Sequence, residues 1–226
     1  MSINKEVKTK FVEAVIDPTA LNVYHLSGLT HPIGHAYELQ NNGSMYLWDE
    51  DFPTFTVLPL LPLIVRGYDN GQRIGNEITV LEISVKVLQT VVVDLDGKND
   101  KLLQISMVNC KHHQGKLYVP LLDIYDVPDQ IAGDMTATIP KKLNSDSYDI
   151  IHCGRIVKGP SNNGSAYLYQ FRYTMNKKVK FKNNCVGTMQ DILENNIVLL
   201  FATSAAQEGV DCDALSISAC IRYQDV

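Results

Sequence analysis

The chain has 226 residues, is 45% hydrophobic and 20% charged, and carries a formal net charge of −5. A chain of this size buries roughly 70% of its unfolded surface, so a core forms without metal or disulfide staples. No apolar run approaches the roughly 18 residues of a spanning helix, which excludes a helical membrane segment, and Met1 to Glu6 show no apolar stretch of the secretory kind. The five cysteines, Cys110, Cys153, Cys185, Cys212 and Cys220, include no C-x-x-C pair and read as free, small hydrophobes.

Residues 1–60 hold Pro18, Pro32, Pro53 and Pro59 and the acidic cluster Asp49-Glu50-Asp51. Their apolar periodicity is broken, so they are expected to form an extended arm with one or two short strands, lying on a domain that spans 61–226. The first clear strand begins at Glu77. Ile78, Val80, Ile83, Val85 and Val87 alternate, with a phase slip at Leu81 that predicts a bulge.

After a turn at Asp96-Gly97, Leu102 to Val108 predicts a second strand, and Tyr148 to Val157 a third. Ala166 to Phe181 predicts a long fourth, broken near Asn176. The run Ile197-Val198-Leu199-Leu200-Phe201 is continuously apolar, as in a strand buried on both faces, and Ala214 to Tyr223 alternates again. Helix is confined to two short candidates, Gly187 to Asn195 and Asp126 to Ile131. Strands, long loops and little helix indicate an all-β sandwich.

Charge is segregated along this pattern. From Ile150 to Gln190 there is no Asp or Glu, while Arg155, Lys158, Arg172, Lys177, Lys178, Lys180 and Lys182 contribute +7; taking +7 from −5 leaves −12 for the remainder. Two surfaces facing different environments are expected. Lys178, Lys180 and Lys182 fall on one face of a strand, with Val179 and Phe181 on the other. Ammonium groups about 6.6 Å apart suit a phosphate backbone, with Tyr167, Tyr169 and Tyr173 near enough in sequence to stack bases. The competing reading is a solvated face that deters edge-to-edge aggregation.

The stretch Gly67 to Gly75 contains Gly67, Gly71, Gln72, Arg73 and Gly75. Its glycines permit positive φ in a reversal, and Arg73 offers donors to loop carbonyls or a carboxylate. A phosphate loop is excluded because no Lys-Ser or Lys-Thr follows and no helix begins there. His25, His31 and His35 are separated by Pro32 and Gly34, and adjacent His112 and His113 would point to opposite faces, so neither group predicts a metal. Asp94, Asp96, Asp100, Asp211 and Asp213 suit turns better than calcium. No catalytic constellation stands out, and no enzyme activity or cofactor is expected.

The order Ile64-Val65-Arg66-Gly67, a short polar loop, Gln72-Arg73-Ile74-Gly75 and a strand resembles coat proteins of circular, Rep-encoding single-stranded DNA viruses, where it leads into the first jelly-roll strand. Small satellite-virus coat proteins look similar there. The resemblance continues in order through Leu103 to Val108, Leu122 to Tyr125, Tyr148 to His152, Phe171-Arg172-Tyr173 with the Lys-rich run, Asn195 to Leu200, and Arg222 to Asp225. Glu6 to Phe11 resembles the basic lead-in, although only Lys5, Lys8 and Lys10 stand where the family carries an Arg-rich arm.

The resemblance implies an eight-stranded antiparallel jelly roll with long loops and few short helices. It also implies a virion protein that assembles with itself into an icosahedral shell of about 60 copies around single-stranded DNA, with RNA as the other option. Two other classes compete. A trimeric receptor- or carbohydrate-binding jelly roll would explain the strands but not the acid-free segment. A cupin-like enzyme would need a His-x-His that is absent.

Overall fold

Alternating apolar residues from Glu77 onward set up a 14-residue core strand, which takes a partner strand on each of its two edges. The computed structural model describes residues 6–17, 22–25, 46–47, 54–69, 71–90, 102–115, 125–126, 139–140, 146–157, 166–183, 189–203 and 214–226. In chain order the strands are β1 (Val7–Asp17), β2 (Asn22–His25), β3 (Tyr46–Leu47), β4 (Thr54–Pro59), β5 (Glu77–Thr90), β6 (Leu102–Cys110) and β7 (Tyr125–Asp126). Then come β8 (Ile139–Pro140), β9 (Tyr148–Val157), β10 (Ala166–Phe181), β11 (Ile192–Glu194), β12 (Asn196–Thr203) and β13 (Ala214–Asp225).

One sheet runs β11-β10-β5-β13-β1-β2 and the other β3-β4-β12-β6-β9, with β7 and β8 as a separate pair. Leaving out the short flanking strands, the eight long ones divide as β10-β5-β13-β1 and β4-β12-β6-β9. Numbered one to eight along the chain, these orders are 6-3-8-1 and 2-7-4-5. That is the strand order of a jelly roll, with every pairing antiparallel. The all-β jelly-roll sandwich expected from the sequence is the fold.

Period-two burial builds the core. Ile78, Val80, Ile83, Val85 and Val87 of β5 face Ile105 and Met107 of β6, Leu199 and Phe201 of β12, and Leu215, Ile217, Ala219 and Ile221 of β13 within one cluster. The bulge predicted at Leu81 is present: Arg222 pairs with Glu82 and Tyr223 with Val80, so Leu81 is the extra residue. On the other side of β5 the register slips between Thr174 and Lys177. The break expected near Asn176 is therefore a bulge inside one continuous strand. β12 is buried on both faces, with Val198 and Leu200 turned away from the core cluster yet almost fully covered.

Three expectations need correction. Residues 1–60 are not an arm laid on the sandwich in their described part: β1 is paired on both sides, by β13 and β2, and β4 pairs β12. The reason lies in the outward face of β1. Val12 and Ala14 point into the core, but the outward positions include Val7 and Phe11, 40% and 62% exposed, so apolar residues lie on both faces and no apolar–polar alternation can be read along the strand. Second, the Gln72-Arg73-Ile74-Gly75 motif leads into β5, the third strand of the eight, because β1 and β4 precede it. Third, the described part of the Gly187 to Asn195 helix candidate is no α-helix; a single 3-10 turn, Met189–Asp191, runs straight into β11. The other helical candidate puts Asp126 in β7 and otherwise lies outside the described residues.

Leu199 has no solvent exposure at all. Replacing it with Ala is expected to cost about 2–5 kcal/mol of unfolding free energy, measured by urea denaturation, because facing strands of a sandwich relax little around a lost side chain.

Candidate nucleic-acid interface

The basic strand β10 alternates as its sequence requires. Val179 and Phe181 are buried, while Lys178 and Lys182 are exposed and Lys180 is half-exposed. Lys178, Lys180 and Lys182 thus share the outward side predicted for them. Along that side Lys178 is level with Thr79, and Arg172 with Ser84, in β5. Arg155 is exposed on β9, and Lys158 lies outside the described residues.

The acid-free stretch of sequence is not acid-free in space. Arg172 Nη2 donates to Glu82 Oε2, and Arg222 Nη1 lies 3.7 Å from the same oxygen, so one carboxylate of β5 sits between two guanidinium groups. Lys180 Nζ donates to Glu194 Oε1 across 2.9 Å, and this hydrogen bond and charge raise its pKa. Lys177 follows the inward parity of Val179 and reaches across to the other sheet, where Asp149 of β9 is 3.7 Å away. Asp149 also pairs with Lys111 at 2.8 Å. Burial pushes the Asp149 carboxyl up, but hydrogen bonds from Lys111 and Asn109 and the Lys111 and Lys177 charges outweigh it and hold the group below its usual range.

Sheet pairing is the cause. Antiparallel neighbours bring in acids from positions 82 and 194, and the facing sheet brings in Asp149. Half-exposed pairs of this kind add little stability, typically 0–1 kcal/mol. Their ammonium groups are therefore held loosely and can exchange a carboxylate for a phosphate.

The tyrosines are less available than their spacing suggests. Tyr169 Oη is 2.6 Å from His152 Nε2, and the His152 ring stacks on Phe171 at 4.0 Å with 14° between planes. Gly154 makes this possible, since a Cβ there would collide with the Tyr169 hydroxyl. Burial first, and the nearby Cys153 charge second, raise the Tyr169 pKa. Tyr169 is an internal brace between β9 and β10 and not a base-stacking platform. Tyr173 is exposed and Tyr167 half-exposed.

The glycine-rich loop between β4 and β5 is a structural clasp. Gly67 N–H donates to the Arg73 carbonyl, Arg73 N–H to Val65 and Gln72 N–H to Asp69, all within 2.9–3.0 Å. The Gln72 side chain accepts from Asp69 N–H at 3.1 Å and folds over Gly67, where a Cβ would strike it. Arg73 is fully buried, donates to the Gly75 carbonyl and lies 4.1 Å from the Phe181 ring centre. The clasp holds both ends of the first sheet. Lys8 Nζ donates to the Gln72 carbonyl at 3.0 Å and to Asp225 at 2.7 Å, and Ile74 N–H donates to Asp225 Oδ1 at 3.0 Å.

Of the three glycines, only Gly71 has a positive φ, +83°. Gly67 serves close packing instead, and at Gly75 a Cβ would meet only ordinary contacts. Tyr223, buried against this cluster, has its pKa raised by burial and by Asp225, while Arg73 opposes the rise.

Among the described residues no group of three or more His, Cys, Asp or Glu is placed to hold a metal ion. His113 is buried and His112 exposed in the turn after β6, while His31, His35 and the aspartates considered for calcium lie outside the described residues. Cys110, Cys153 and Cys220 are free thiols.

No family model and no curated protein matches the chain. A solved structure, the unassembled VP1 pentamer of a Washington University polyomavirus mutant, aligns over 99% of this chain and 96% of that one, with 10% identity and a TM-score of 0.26. A likeness of that size decides nothing, and the fold assignment stands on strand order.

Gly71→Ala is expected to lower stability by about 1–2 kcal/mol, from forced positive φ and a Cβ 3.0 Å from the Thr9 carbonyl. Gly75→Ala should stay within about 0.5 kcal/mol of the parent. Thermal unfolding of the two variants side by side checks both.

Proposed function

We propose that this chain is a viral coat protein, a jelly-roll subunit that assembles with itself into a closed shell around a single-stranded nucleic-acid genome and catalyses nothing. The observation that carries the reading is the agreement between strand order and sequence resemblance. The coat-protein-like segments fall in sequence order, and those among the described residues sit on the jelly-roll strands or the loop leading into β5. A jelly roll alone hosts many functions, so the ordered motifs give the fold its functional meaning here.

Two further features support it. The outer face of the sheet containing β10, β5, β13 and β1 carries Leu168, Leu88, Phe11 and Val7 with 38–62% exposure, apolar surface of the kind a neighbouring subunit would cover. The lysines on β10 and β11-facing positions give the same face phosphate-compatible donors. In the finer form of the proposal the shell is icosahedral with about 60 subunits, the genome is DNA, and the lysine row faces it.

The test is negative-stain imaging of the purified protein together with its absorbance ratio at the nucleic-acid and protein maxima. Uniform closed particles support the shell; trimers alone, across salt and calcium conditions, would turn the reading toward a receptor-binding module. Combined charge reversal by Lys178→Glu, Lys180→Glu and Lys182→Glu should lower the nucleic-acid content of particles and leave the melting transition nearly in place. In a binding titration with single-stranded DNA, losing three phosphate contacts should flatten the slope of log K against log salt by about 2. Unchanged encapsidation in that variant would remove the lysine row from the mechanism.

A further inference from the structure

We propose that His152 is an acid-sensitive latch closing the open side of the sandwich between β9 and β10. This holds whether or not the chain builds a shell, since it concerns how two strands of one subunit are held together.

Among the described residues β9 has a hydrogen-bonded neighbour on one side only, β6. Its other side faces β10 of the opposite sheet across the rim of the core, where no backbone ladder joins the two. Side chains close that gap. His152 stacks on Phe171 and meets the Tyr169 hydroxyl, Ile151 and Ile156 pack against the edge of the core, and Asp149 approaches Lys177. Gly154 keeps β9 bare where Tyr169 passes, so the sequence of β9 provides both a socket and a ring.

Titration of this ring changes the closure. A neutral imidazole protonated on Nδ1 accepts the Tyr169 hydroxyl proton at Nε2. A second proton turns Nε2 into a donor, forces the hydroxyl to rotate, and places a charge in a half-buried slot. The titratable groups nearest it are Tyr169 on β10 and Cys153 beside it on β9. Asp149 is already engaged by Lys111 and Lys177, and among the described residues no other carboxylate is seen beside the His152 ring. Burial alone lowers the His152 pKa below its ordinary 6.5.

The sign follows from linkage. The closed form takes up its proton at lower pH than the open form does, so the open form binds more protons. Well above pH 6.5 both are neutral and pH has no effect. As pH falls below that value the open form is protonated first, the closed form loses ground, and the loss levels off below the closed-form pKa.

Hydrogen exchange of the intact protein, followed by mass spectrometry from pH 7.5 to 5 and corrected for intrinsic exchange chemistry, tests this. Amides of β9 and of the β10 segment around Tyr169 should exchange several-fold faster at the acid end, while β12 in the core stays unchanged. His152→Phe keeps the stack without the titration, and His152→Gln keeps an acceptor for Tyr169 without it. Either variant, once folded, should abolish the acid step. An NMR titration of the His152 ring should show a midpoint below 6.5 in parallel. A flat profile in the parent, the same step in both variants, or a ring midpoint above the ordinary value would overturn the latch.

Discussion

Arg73 is buried with no exposed surface at the end of the first sheet, and the surrounding chain is arranged to make that burial tolerable. A guanidinium taken out of water costs several kcal/mol unless its donors and charge are met. Here the Gly75 carbonyl takes one donor and the Phe181 ring offers its negative face. The loop that delivers Arg73 crosses from β4 in one sheet to β5 in the other. The same loop takes hydrogen bonds from Lys8 and gives one to Asp225, so the first and last strands of the roll are pinned at one point. Removing the guanidinium would leave a void beneath Phe181 and loosen this junction of four strands.

The second organising fact is that pairing partners in this fold come from far apart in the chain. Glu82 lies between Arg172 and Arg222 because β5 sits between β10 and β13. Asp149 meets Lys177 because the rim of one sheet faces the rim of the other. A linear tally of charge therefore overstates how basic the outer surface of β10 is. What remains on the outward row is three ammonium groups, of which Lys180 is tethered to Glu194 by a weak, half-exposed pair.

Much of the fold was legible because the relevant signals are local. Ile78, Val80, Ile83, Val85 and Val87 announce β5 and its bulge, and the unbroken run from Ile197 to Phe201 announces a strand covered on both sides. The alternation of Lys178, Val179, Lys180 and Phe181 correctly assigned their faces. The rest depended on long-range geometry. In β1 apolar residues sit on both faces, Phe11 outward and Val12 inward, so its pattern resembled an arm. Tyr169 looked available for stacking because nothing near it in sequence reveals that His152, on another strand, will occupy its hydroxyl. Gly75 looked as constrained as Gly71, yet only Gly71 adopts a left-handed backbone.

The pairing of β1 with β13 joins Val7 to Gln224 and Ile16 to Leu215, nearly the full span of the polypeptide. β13 thus slots between β5 and β1, the centre of its sheet. Both of those strands keep an unsatisfied edge until β13 docks, and contacts so distant along the chain form slowly. A chain cut before Ala214 would lack this central stave and retain two open β-edges. The integrity of the whole sheet therefore hangs on a segment far in sequence from the strand it completes.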